Sequence, residues 1–146
     1  MKSNSVIRSE SDGLKVARSS VLVVEDEVIT RITLGQNLRD LGHDVIETSN
    51  ADEALVVFEA TLPDIIVTDI RMPGSVDGID LCSTVHKIYP ELPVIIVSAH
   101  LDPDVHGCDP HTKFFPKPYS IVELVEAVQS TLATPSNFAS QHGPHI

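Results

Sequence analysis

Tryptophan is absent from this chain, and only two cysteines, Cys82 and Cys108, occur in its 146 residues. With no CxxC spacing and no partner pattern, the two thiols read as buried or free reduced cysteines, which excludes a disulfide framework and a thiol redox motif. No run of eighteen or more apolar residues is present, so nothing reads as a membrane-spanning helix. The opening residues MKSNSVIRSE contain no apolar stretch of secretory type. Positive charge is also scarce: ten Lys and Arg against twenty-one Asp and Glu leave a formal net charge of −11. A nucleic-acid surface needs clustered Lys and Arg to neutralise phosphates, and no such patch is visible. The expectation is a cytoplasmic protein with no nucleic-acid and no membrane partner. Acidity alone decides little more, because it suits a bound Mg²⁺, a basic partner surface, or simple solubility.

What is present is a core for one domain, with 42% hydrophobic residues in a chain of single-domain size. Residues 1–19 and 134–146 lack sustained apolar periodicity and are expected to be loose tails around a folded unit at 20–133. Inside that unit short β-branched runs recur at Val21–Val24, Val45–Glu47, Ile65–Thr68 and Val94–Val97, with a weaker one at Lys113–Phe115. Three are apolar throughout, which suits parallel strands covered on both faces. Helical spacing fills the intervals. Leu34, Leu38 and Leu41 precede Gly42; Asn50 and Glu53 form an N-terminal box before Ala54, Leu55 and Phe58; Cys82, Val85 and either Tyr89 or Ile88 line a third helix that stops at Pro90. Ser120 and Glu123 box the start of the last helix, whose stripe is Ile121, Leu124, Val125, Val128 and Leu132. Alternation of this kind predicts an α/β fold, a doubly wound five-stranded parallel sheet with helices on both faces.

Such sheets hold their ligands at the carboxyl ends of the strands, beside the point where strand order reverses. The first strand runs into Glu25-Asp26, the third into Asp69, the fourth into Ser98 and the fifth into Lys117-Pro118. The fold would gather three carboxylates, a hydroxyl and an ammonium in one cleft. Carboxylates that repel one another and offer hard oxygen donors in small number suit Mg²⁺.

At these residues the chain resembles the response regulator receiver domains of two-component systems, which have a flavodoxin-like fold. The resemblance covers about 20–133 and rests on VLVVEDE (21–27), DIIVTDIRMPG (64–74) with Asp77-Gly78, PVIIVSA (93–99) and FFPKPYS (114–120). It implies a phosphoprotein in signal transduction, with Asp69 as phosphoacceptor, Asp26 as a direct Mg²⁺ ligand and Glu25 orienting metal-bound water. It further implies that the main-chain carbonyl of Arg71 completes the metal site, that Ser98 and Lys117 bind phosphoryl oxygens, and that Ser98 and Phe114 form the switch. Lys117-Pro118 is expected to be cis. The implied partners are a sensor histidine kinase or a histidine phosphotransfer protein, and a downstream protein target. The implied chemistry is limited to the chain's own phosphorylation and dephosphorylation, without an attached DNA-binding or enzymatic output domain, so the chain is not read as an enzyme.

Two other functions compete. A pseudo-receiver that only binds protein conflicts with the presence of Glu25, Asp26, Asp69, Ser98 and Lys117 together. A Mg²⁺ phosphohydrolase with an aspartyl-phosphate would have a second acid two residues past the nucleophile, where this chain has Arg71. Seven histidines, three of them at 100, 106 and 111, show no ligand spacing backed by a carboxylate, so no transition-metal site is read. Two departures from the family stand out. The loop after Asp69 is one residue longer than in many receivers, and only nineteen positions separate Ser98 from Lys117, fewer than is usual. Pro103, Gly107 and Pro110 fall in that interval, so the helix between the fourth and fifth strands is expected to be short or irregular, and residues 99–112 to be mobile without phosphate.

Overall fold

A computed structural model describes residues 18–99 and 110–133. Five strands, β1 (Ser20–Val24), β2 (Asp44–Thr48), β3 (Ile65–Asp69), β4 (Val94–Ser98) and β5 (Thr112–Pro116), form one parallel sheet in the order β2-β1-β3-β4-β5. Four helices are described: α1 (Val28–Asp40), α2 (Ala51–Thr61), α3 (Gly78–Ile88) and α4 (Ile121–Ala133). This is the flavodoxin-like doubly wound fold expected above. Residues 100–109, on which most of the short-helix expectation falls, lie outside the described residues, as do nearly all of 1–19 and all of 134–146. Thirteen residues separate Ser98 from Thr112.

Alternation along each strand builds two apolar layers, because successive side chains of a strand point to opposite faces. Leu22, Val24, Ile66, Val94 and Ile96 face α2 and α3, where they meet Ala54, Phe58, Leu81 and Val85. Val21, Val23, Ile65, Val67, Ile95 and Val97 face α1 and α4, where they meet Leu34, Leu38, Leu124 and Val128. Each fully buried aliphatic side chain contributes about 1.5–3 kcal/mol, and the interiors of β1, β3 and β4 are aliphatic accordingly, with polar Thr68, Asp69 and Ser98 gathered at the carboxyl ends of β3 and β4.

The helix ends follow local chemistry. Asn50 Oδ1 accepts from Glu53 N–H at 2.8 Å, while the Glu53 carboxylate reaches one residue farther back than a capping box requires, to Ser49 N–H. Ser120 and Glu123 make the full reciprocal box. So do Asp77 and Asp80 at α3, a start signal the sequence reading passed over. Of the two candidates on α3's last turn, Tyr89 packs edge-on against Phe58 and Ile88 is exposed. Leu41, expected on the buried stripe of α1, is its C-cap and exposed, because the helix stops one residue before it.

Candidate functional site

The chain passes from β1 to β2 on one side, then from β2 back across β1 to β3 on the other, so strand order reverses between β1 and β3. Glu25 and Asp26 leave the end of β1 and Asp69 closes β3, so three carboxylates meet at this switch point. One oxygen from each lies within 4.8 Å of the others. Glu25 and Asp69 are buried and Asp26 is exposed. Glu25 N–H donates to Thr48 O at 3.0 Å, and the Thr48 hydroxyl donates to Val23 O, which ties the end of β1 to β2.

Lys117 arrives from the other edge. Its N–H donates to Ser98 O at 2.8 Å, fixing the turn after β5 against the end of β4. Its Nζ stands 3.0 Å from Asp69 Oδ1. That oxygen is buried, and apart from this ion pair no hydrogen bond reaches it from the described residues. The Lys117-Pro118 peptide is cis, as expected. Ser98 pairs with Pro116 in register and lies one step beyond the level of Asp69 on the adjacent strand, buried at the rim of the same cleft.

Electrostatics separates the carboxylates. Burial pushes the Glu25 carboxyl up to about 8, a hydrogen bond shared with Asp69 and the Asp69 charge push the same way, and Glu27 N–H and the Lys117 ammonium oppose them. Tyr119, beside the cleft, is raised to about 12 by burial and by the charges of Glu25, Asp69 and Glu27. A carboxylate that takes up a proton beside another is one a hard divalent cation would relieve, and the donor set here is oxygen only, so the residues fit such an ion. An open cleft of about 510 Å³, lined in part by Glu25, Glu27, Thr30, Lys117, Tyr119 and Ile121, leads to them.

Not every residue singled out from the sequence joins this group. Arg71 lies exposed in the loop two residues after Asp69. Phe114 sits opposite Ile96 and packs half-buried into the α2–α3 layer, whereas Phe115 joins the α1–α4 layer and contacts Tyr119 edge-on. Gly78, quoted in the sequence only as part of a motif, has a direct steric role. A Cβ there would come within 2.0 Å of Asp69 O, and Gly78 N–H donates to Ile70 O at 2.8 Å, so α3 starts in contact with the backbone that carries Asp69. The signal in the sequence was a glycine directly after a capping Asp, the one residue without a Cβ to block such a close approach.

Together the fold and these strand ends define a doubly wound α/β domain whose acidic pocket and lysine converge on one buried aspartate. The family model of the response regulator receiver domain matches residues 21–129, and the chain belongs to that family. It is 34% identical over 130 residues to the DNA-binding transcriptional regulator NtrC of Salmonella typhimurium, covering 87% of this chain and 27% of that protein. To the probable transcriptional regulator ycf27 of Porphyra purpurea it is 32% identical, covering 79% of this chain and 48% of the relative. The chain thus spans about a quarter of the length of its NtrC relatives. Among solved structures, the Francisella response regulator 1452 receiver domain superposes with a TM-score of 0.71 at 29% identity, covering 79% of this chain and 97% of that one. Vibrio cholerae CheY4 shares the fold with the same TM-score at 23% identity, covering 79% and 99%. Among the described residues no helix is long and apolar enough to cross a membrane.

Proposed function

We propose that Asp69 accepts a phosphoryl group from the phosphohistidine of a sensor histidine kinase or a histidine phosphotransfer protein, in a Mg²⁺-dependent reaction, and that the resulting change of shape is read by a downstream protein target. The observation that carries this reading is the buried Asp69 carboxylate, with the Lys117 ammonium 3.0 Å from one oxygen and the Glu25 and Asp26 carboxylates beside it. An Asp69 oxygen attacks phosphorus as the phosphorus–nitrogen bond of the donor breaks and its electron pair returns to the imidazole. A carboxylate nucleophile of this kind needs no general base. Lys117 follows the incoming charge onto a phosphoryl oxygen as a point charge on a flexible stem, and the Ser98 hydroxyl donates to another. Asp26, Asp69 and the Arg71 carbonyl would hold the ion directly in this reading, and Glu25 would act on it from outside that set, through water. When bound, the ion supplies positive charge to the phosphoryl oxygens. Ser98 and Phe114 carry the response outward.

On this reading the chain acts on nothing beyond its own phosphorylation and dephosphorylation, works in the cytoplasm, and makes no nucleic-acid contact through this module, whose excess charge is negative. Incubation with Mg²⁺ and a small phosphodonor, followed by intact mass, tests the chemistry. One acid-labile adduct supports it, no adduct makes the chain a pseudo-receiver, and steady turnover of donor makes it a phosphohydrolase.

A further inference from the structure

We infer that Arg31 is a positioning residue for the acidic pocket, anchored by Glu47 of β2, and that it sets the affinity of that pocket for a divalent cation without touching the ion. The inference rests on the reading of Glu25, Asp26 and Asp69 as the cation site.

Arg31 stands on the first turn of α1, six residues after Glu25. Its Nη1 donates to Glu25 O at 2.9 Å, and its Nε lies 3.8 Å from Glu47 Oε1. The Glu25 carbonyl is one end of the peptide unit that joins Glu25 to Asp26. Holding it fixes the plane from which the Asp26 side chain departs, while Glu27 N–H holds Glu25 Oε2 from the other side at 2.9 Å. Without Arg31, the loop between β1 and α1 would keep its acids but lose the bond that orients their shared peptide.

The anchor is itself prepared. Glu47 Oε2 accepts from Arg39 Nη1 at 2.7 Å, and Arg39 also reaches Val45 O at 3.0 Å, so Glu47 lies between two guanidinium groups of α1. Gly35, buried in the middle of α1 where glycine is a poor helix former, makes the room. A Cβ there would fall 2.3 Å from Glu47 Oε2. One strand residue, one helix glycine and two arginines are thus arranged so that a fork of fixed geometry reaches a carbonyl at the edge of the carboxylate cluster. Groups that orient metal ligands in this way typically change affinity by tenfold or more when removed.

The test is a Mg²⁺ titration of the whole chain, followed by amide shifts of Glu25, Asp26 and Asp69, with thermal unfolding in EDTA measured alongside. Arg31→Ala is expected to weaken Mg²⁺ about tenfold at a temperature where the variant is fully folded. Arg31→Lys should recover part of the loss, because a single ammonium can meet the carbonyl or Glu47 but does not fork between them. Glu47→Gln, which leaves the bond to Glu25 O in place, should cost less than Arg31→Ala. Should Arg31→Ala fail to fold, the lysine and Glu47 variants carry the test, each expected to bind less tightly than wild type. Wild-type affinity in Arg31→Lys and Glu47→Gln alike, or in a folded Arg31→Ala, overturns the inference. Absence of any saturable shift in the wild type overturns instead the reading of the cation site on which it rests.

Discussion

Strands β3 and β5 end in the two groups that face each other across the site, Asp69 and the turn to Lys117, yet they are built in opposite ways. β3 is central, paired on both sides, and all five of its residues are buried. β5 is an edge strand paired only with β4, and none of its residues is fully buried. On the proposed function, the acceptor carboxylate thus sits on the least deformable part of the sheet and its counter-charge next to one of the most deformable. A rigid acceptor with a compliant partner is suited to signalling, because charge added at Asp69 can be answered by movement at β5 without unpacking the core.

The largest expected effect concerns the rigid side. Asp69→Asn removes the nucleophile and keeps its shape, so acid-labile phosphorylation should vanish while thermal stability stays at or above that of the wild type, one of two crowded carboxylates having been neutralised. Unchanged phosphorylation by intact mass would move the acceptor elsewhere. Truncation in the same strand should be costly. Ile66→Ala, at a fully buried position, is expected to lose about 4 kcal/mol in urea unfolding. Gly78→Ala tests how firmly the strand end is held from outside. A methyl group forced against the Asp69 carbonyl should cost about 3 kcal/mol and slow phosphorylation, because the backbone that aims the carboxylate must move. If Gly78→Ala is neutral, α3 yields rather than β3, and the contrast between a fixed and a compliant strand weakens.

The rigid half was also the legible half. Strands such as Val21–Val24 and Ile65–Val67 are continuous apolar runs, which have few readings other than a buried parallel strand, and their polar endings follow from the fold rule that puts sites at carboxyl ends. The strand pattern alone therefore places Asp69 and Glu25 at the site, and Lys117 joins them through its motif. The compliant half was harder. Lys113–Phe115 is too short and mixed to declare itself, and nothing in one sequence says whether Phe114 or Phe115 turns toward which layer; pairing with Ile96 and Val97 decides that. Contacts made by backbone were illegible for a different reason. Gly78 against Asp69 O and Arg31 against Glu25 O are tertiary approaches, and neither hydrophobic period nor residue type encodes them.

Smaller effects should come from the edge. Phe115→Ala removes a large side chain that is only partly buried, so about 2 kcal/mol is expected, less than for a fully buried aromatic and less than for Ile66→Ala. The finest measure is amide hydrogen exchange. β3 amides are hydrogen-bonded within a sheet flanked on both sides, and opening them requires separating two strand pairs under two apolar layers, so they should exchange only through global unfolding. β5 can detach from β4 alone, losing one strand pair and two half-buried aromatics, and its protected amides should exchange at least about tenfold faster. A phosphoryl mimic, beryllium fluoride with Mg²⁺, should narrow that difference. Lys117 and Ser98 would then both be bound to the group on Asp69, and Lys117 N–H already bonds Ser98 O, so opening β5 would break contacts at its end as well as along its length. Equal protection of the two strands without the mimic would remove the contrast between them, and a gap that the mimic leaves unchanged would show that Lys117 does not draw the edge strand toward the site.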